Sequence, residues 1–254
     1  TDGRVKRTNL ANAASGGNVQ ARFSKSLYLF KRAWAYVRQG RIRHLIHKAA
    51  RYGRSNPRLG TADDDTLANR LRGRRCRLVI DHSMGGGANL FRERLVSQWL
   101  KEGDTVALLS FKVASMEAFV EVQDSRGSLV STLSQWETLS AVLEEADLAQ
   151  IFFNCAVSFP NPGRLQKLVL DIKRRTHAEL TVAMHDYFLV CPSNFLLDST
   201  GTYCGVPSVD QCESCLPYHQ DGFVSLTGER SILDWRTLWT QLLEAADEVR
   251  CFSE

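Results

Sequence analysis

No run of about eighteen consecutive apolar residues occurs in the 254-residue chain, which excludes a single spanning helix of ordinary length. The opening residues, TDGRVKRTNLANAASGG, also lack the apolar stretch of a secretion signal, so the expected location is the cytoplasm. Acids are missing from the first 58 positions, where Asp2 stands alone against fourteen Lys and Arg. That segment carries +13 and the rest of the chain −9, so the overall +4 hides two surfaces of opposite sign. A basic segment on an acidic body points to phosphate-bearing partners: anionic lipid, nucleic acid or another subunit. The acidic body and the lack of a recognition motif argue against nucleic acid.

Two phosphate-binding signatures are missing as well. Strand-like RCRLVIDH (75–82) runs into Ser-Met-Gly85-Gly86-Gly87, but the sixth position counted from Gly85 is Leu90, where a dinucleotide fingerprint needs glycine. The second strand ends Leu109-Ser110-Phe111, without the carboxylate that would hold a ribose. No Gly-Lys-Ser/Thr follows to make a P-loop. A plainer glycine turn remains. Gly85, Gly86 and Gly87 let the backbone approach a ligand while the next helix presents its amide-rich end to a phosphate or sugar nucleotide, or else the turn only lets helix and strand pack.

With 44% hydrophobic residues the chain can build one large or two small domains. Residues 1–20 read as a leader. Residues 23–52 read as two basic amphipathic helices split at Gly40, suited either to an anionic membrane surface or to packing on the body. A linker follows over 53–70. From residue 71 short apolar runs (75–82, 105–111, 149–157, 178–186 and 248–254) alternate with helical patterns (88–102, 135–147, 161–176 and 231–246). That pattern predicts an α/β, doubly wound parallel sheet. Residues 119–133 read as a hairpin around Ser125-Arg126-Gly127, added as an antiparallel edge.

In such a fold ligands lie at the carboxyl ends of the strands. His185 and Asp186, at the end of AELTVAMHD, are the candidate catalytic pair: an imidazole to orient or deprotonate a hydroxyl, and a carboxylate to hold a sugar hydroxyl or fix the loop. His82, ending the first strand, is a candidate for the same crevice. Four of the seven cysteines cluster in the insertion 191–219. Cys191, Cys204, Cys212 and Cys215, with Cys212-Glu-Ser-Cys215 as a knuckle, are the expected ligands of a structural zinc, His219 being a substitute. Reduced, unligated thiols and a redox pair are the alternatives. Cys76, Cys155 and Cys251 read as small core residues.

The run LVIDHSMGGGANLFRERLVSQWLKEGDTVALLSF resembles the opening of the retaining GT-B glycosyltransferases. MHDYFLVCPSNFLLDSTGTYCG with CESC is similar to a bacterial subset that assembles surface polysaccharides. The resemblance spans roughly residues 75–254. It implies a Rossmann-like N-terminal domain with Gly85, Gly86 and Gly87 under a donor diphosphate, His185 on the reacting sugar and Asp186 supporting it. It further implies a nucleotide-sugar donor, a carbohydrate or lipid-linked acceptor at the inner membrane face, and no required catalytic metal. Because such enzymes grip the nucleotide in a second domain, the chain reads as an acceptor-side half with little turnover of its own. The rival expectation is a non-catalytic, zinc-stabilised module that docks on a membrane or a partner protein.

Overall fold

The computed structural model describes residues 64–82, 84–113, 115–133, 136–219 and 226–252. The leader, the amphipathic helices of residues 23–52 and most of the linker lie outside the described residues. All the elements named below belong to one compact unit.

In chain order they are α1 (Asp64–Leu71), β1 (Arg75–Ile80), α2 (Gly87–Lys101), β2 (Thr105–Lys112), β3 (Glu117–Asp124), β4 (Gly127–Leu133), α3 (Glu137–Glu144), β5 (Asp147–Phe153), α4 (Pro162–Thr176), β6 (Glu179–Met184), α5 (Val209–Cys215), α6 (Ile232–Glu244) and β7 (Glu248–Cys251). The strands form one sheet in the order β4-β3-β2-β1-β5-β6-β7. From β2 to β7 through the centre the pairing is parallel. β3 and β4 add an antiparallel edge through the Ser125-Arg126 turn, as the hairpin pattern predicts. Asp124 fixes that turn by accepting the Arg126 backbone N–H at 2.8 Å, and Arg70 of α1 reaches the same carboxylate at 2.7 Å.

Parallel strands bury both faces, and successive side chains serve opposite ones. Phe152 meets Trp99 of α2 on one face, in a cluster with Val79, Val106, Leu108 and Ala183. Its neighbour Phe153 meets Trp239 of α6 on the other, where α4 supplies Leu165, Leu168, Val169 and Ile172. Local chemistry sets the bounds of α4. Asn161 caps the Arg164 N–H, Pro162 starts the helix, and His177 ends it in the left-handed region at φ 57°.

Near the start of the strands a polar chain crosses the sheet. Asp104 accepts from Arg77 at 2.6 Å, Arg77 donates to Gln150 at 2.8 Å, Gln150 donates to Thr181 at 2.9 Å, and Thr181 donates to Glu248 at 3.3 Å. Every buried polar atom in it has a partner, which keeps its burial from costing stability and ties four strands into one register.

Three expectations change. The stretch read as linker ends in a helix, α1, because Leu67 and Leu71 are fully buried. β1, β5 and β6 stop at Ile80, Phe153 and Met184, two to four residues short of the expected ends. The polar residues beyond them, Asp81, Asn154 and His185, spend their side chains on bonds at the sheet edge, while the Asp81 and Asn154 N–H groups still reach the Leu109 and Ile80 carbonyls. Cys251 is exposed on the edge strand β7 rather than in the core. Among the described residues no helix is long and apolar enough to cross a membrane.

Trp235 on α6 is fully buried, stacks edge-on to Phe188 and donates its indole N–H to the Phe188 carbonyl at 2.8 Å. Trp235→Ala is expected to lower the unfolding free energy by about 3–5 kcal/mol in urea titration, against less than about 0.5 kcal/mol for Leu233→Ala on the exposed side of the same helix.

Candidate functional site at the carboxyl edge of the sheet

The chain leaves β1 for β2 on one side and later returns to β5 on the other, so strand order reverses between β1 and β5. At such a reversal the two connections part and leave a crevice at the carboxyl edge. Asp81 and His82 emerge there from β1, Asn154 and Cys155 from β5, and His185 and Asp186 from β6. The glycine turn and the first residues of α2 sit beside them.

One amide joins the two features that sequence singled out. Asn154 donates from Nδ2 to the Ala88 carbonyl, in the first turn of α2, at 3.1 Å, and its Oδ1 lies 2.8 Å from Nε2 of His185. Since Nδ2 is the donor, Oδ1 must accept, so His185 carries its proton on Nε2 and keeps the lone pair on Nδ1. Phe252 stacks on the ring at 4.2 Å, and Phe91 of α2 meets it edge-on at 5.4 Å. Burial holds the His185 imidazole below the usual histidine range, with His82 adding to the effect against the opposing pull of Asp81 and Asp186.

Asp81 is the second brace. It is fully buried, accepts the His82 backbone N–H on Oδ1 at 2.8 Å, and takes Asn89 and Arg92 of α2 on Oδ2 at 2.8 Å each. His82 is buried, and its Nδ1 accepts the Met84 N–H at 3.2 Å, so it supports the glycine turn from beneath. Burial, with Arg92 adding, lowers its pKa against Asp81 and Asp186. Asp186 accepts the Phe188 N–H at 2.9 Å and the Cys155 thiol at 3.7 Å. Burial, with both aspartates adding, pushes the Cys155 thiol well up, so it serves as a donor and not as a thiolate nucleophile.

The glycines are needed for the backbone. Gly85 has φ 86°, and Gly86 at φ 104°, ψ −173° occupies a region all but closed to other residues. A Cβ at any of the three would meet nothing within 4 Å, so the turn faces open space and close packing does not explain them. No side chain caps the amino end of α2 and its first turn holds no acid, which leaves backbone N–H groups and a partly positive end. Within that turn Asn89 Oδ1 is buried with no hydrogen-bond partner among the described residues.

Asp81, His82 and Cys155 offer ligand atoms within 4.8 Å of one another. They suit a cation poorly: Arg92 already neutralises Asp81 at 2.8 Å, and the thiol is held protonated. None of the four loop cysteines belongs to this group. Cys212 and Cys215 share α5, and the candidate substitute His219 is buried with Nε2 2.7 Å from the Leu197 carbonyl.

Asp81 and Asn154 lie in runs whose pattern reads as strand and so do not stand out as site residues, and Cys155 reads there as a core residue. The signal available was a polar residue breaking an apolar run, Ile80-Asp81 and Phe153-Asn154, at two strand ends alike. Comparison with protein-family profiles, with curated proteins and with solved structures finds no match to this chain.

Both imidazoles have folded pKa values below the unfolded value, so between those values the unfolded chain binds more protons and stability rises with pH. Histidine NMR should therefore place both midpoints below about 6.5. The unfolding free energy should be at its plateau above that pH and fall as pH drops through it, and Asp81→Asn, by removing a charge that favours the imidazolium, should move both midpoints lower still.

Proposed function

We propose that this chain is the acceptor-side, Rossmann-like domain of a glycosyltransferase, moving a sugar from a nucleotide-sugar donor to a carbohydrate or lipid-linked carbohydrate acceptor in surface-polysaccharide assembly. The observation that supports it is the Asn154 bridge, which ties His185 to the first turn of α2, next to the glycine turn, at the sheet's switch point. The resemblance to the GT-B enzymes supplies the reaction class and a partner domain that grips the nucleotide.

In that reading the uncapped amides of α2 face the diphosphate, whose negative charge grows as the bond to the anomeric carbon breaks. His185, neutral with its lone pair on Nδ1, accepts a hydrogen bond from a sugar hydroxyl. Asp186 holds the loop through Phe188 and offers the crevice a carboxylate. A hydroxyl that donates to Asn89 Oδ1 would relieve a buried acceptor whose isolation costs about 1–3 kcal/mol. His82 acts through the turn it supports. These roles need no catalytic metal.

The second reading, a zinc-stabilised module that docks through the basic residues 23–52, is favoured by the exposed aromatic side chains of the cysteine loop, Phe195, Tyr203 and Tyr218. It would show as salt-sensitive vesicle binding without sugar-nucleotide or glycan binding.

The transfer assay decides between them. In the enzyme that also carries the nucleotide-gripping domain, His185→Ala should lower glycosyl transfer by at least about a hundredfold with far-UV circular dichroism and Tm close to those of the parent. Near-normal transfer by the folded variant would remove His185 from the chemistry.

A further inference from the structure

Residues 187–219 form a long excursion from the sheet edge with little to hold it by burial. Phe188, Leu189, Leu196 and Leu216 point inward, but Tyr187, Phe195, Tyr203, Val206 and Tyr218 are exposed, and the regular structure amounts to one bridge, Leu197 with Tyr203, the seven residues of α5 and a 3-10 turn over Leu216–Tyr218. A segment with so small a core needs a staple.

Hydrogen bonds tie the segments that carry its four cysteines to one another and to α6. Cys191 closes the Tyr187–Cys191 turn by donating its N–H to the Tyr187 carbonyl at 2.9 Å. Cys204 is brought back by its N–H bond to the Leu196 carbonyl at 2.9 Å. Cys212 and Cys215 lie one turn apart on α5, whose start is fixed by the Ser208–Gln211 capping box. Arg236 of α6 spans the gap between the turn and the helix. Its Nε donates to the Val190 carbonyl, next to Cys191, at 3.3 Å, while Nη2 reaches Cys212 Sγ at 3.7 Å. Glu213 pins α5 to the start of α6 by accepting from Ser231 Oγ at 3.0 Å and Leu233 N–H at 3.2 Å. Burial above all, with Cys212, Cys204 and Cys215 adding, pushes the Cys191 thiol up to about 11, and burial with Cys215 and Cys212 adding raises the Cys204 thiol.

We propose that Cys191, Cys204, Cys212 and Cys215 close on one zinc ion as a structural centre, with Arg236 as its outer-shell N–H···S donor, and that this centre fixes the turn carrying Asp186 against α6. Four thiolates on one dication leave a net negative centre, and the guanidinium beside Cys212 is the group that offsets it. The sulfurs do not already gather, three at a time, within the 4.8 Å of the Asp81 group. Closing on the ion therefore requires rotamer changes, and one staggered step in χ1 moves a cysteine sulfur by about 3 Å on a fixed backbone. Four sulfurs fill the tetrahedron, so the ion takes no part in turnover. The proposed set is the four thiolates, with His219 placing Nε2 on the Leu197 carbonyl at 2.7 Å. The proposal stands independently of the glycosyl-transfer reading.

The test is metal content of the full chain by elemental mass spectrometry, with the absorption of the cobalt-substituted protein. About one zinc per chain is expected, with tetrahedral cobalt bands and sulfur-to-cobalt charge transfer of four-thiolate intensity. Cys212→Ser/Cys215→Ser should lose the metal and expose residues 191–219 to protease, Arg236→Gln should weaken zinc affinity about tenfold to a hundredfold, and Cys155→Ser should leave it unchanged. If the double variant fails to fold, the cobalt spectrum of the parent alone decides by its intensity. The proposal is overturned by protein that takes up neither zinc nor cobalt, by metal lost in Cys155→Ser but kept in the double variant, or by an intact mass showing the four thiols oxidised to disulfides.

Discussion

Both polar ends of the Asn154 side chain are committed, one to the backbone of α2 and one to His185, and on that double commitment the arrangement of the crevice depends. The bond to Ala88 decides which end of the amide faces the imidazole, and that decides which ring nitrogen holds the proton. A single residue after β5 thereby converts helix position into histidine chemistry. Asp81 does the matching work on the other side, holding Asn89 and Arg92 of α2 while His82 carries the turn. The glycines are consequently free of any bracing duty, and their unusual backbone angles face open space.

The two edges of the sheet divide the labour. Toward the strand starts, the chain from Asp104 to Glu248 is closed, each buried member satisfied within the sheet, and it supplies rigidity without reactivity. Toward the carboxyl edge, the polar groups are left with spare capacity: a lone pair on His185, an acceptor on Asn89, uncapped amides on α2. Unmet capacity in a partly buried setting is what a binding site requires, since a ligand can then complete bonds that water completes poorly. Burial of the imidazoles has the same sense, because it keeps them neutral and able to accept.

Most of the fold was legible because hydrophobic runs and helical periods are local signals. The hairpin at Ser125-Arg126-Gly127, the helix after the glycines and the strand before His185 needed only their own residues. The site was half legible. His185 and the glycine turn announce themselves by type and position, whereas Asn154 and Asp81 matter through partners in other elements, Asn154 being 66 residues from Ala88 and 31 from His185 in the chain. α1 was hidden because two buried leucines among charges give a weak period, and their burial depends on elements far along the chain. α5 was missed because Cys212 and Cys215 drew a metal reading first, although Ser208 and Gln211 supplied a capping box in plain view.

The crevice between the triglycine turn and the β6 end is the claim on which the rest stands, and ligand titration followed by two-dimensional NMR tests it most directly. Adding nucleotide-sugars and oligosaccharides to the labelled chain should shift the backbone amides of Gly85, Gly86 and Gly87 and the ring signals of His185 together, with one shared midpoint. Shifts confined to one of the two groups, or two unrelated midpoints, would contradict a single site built from both.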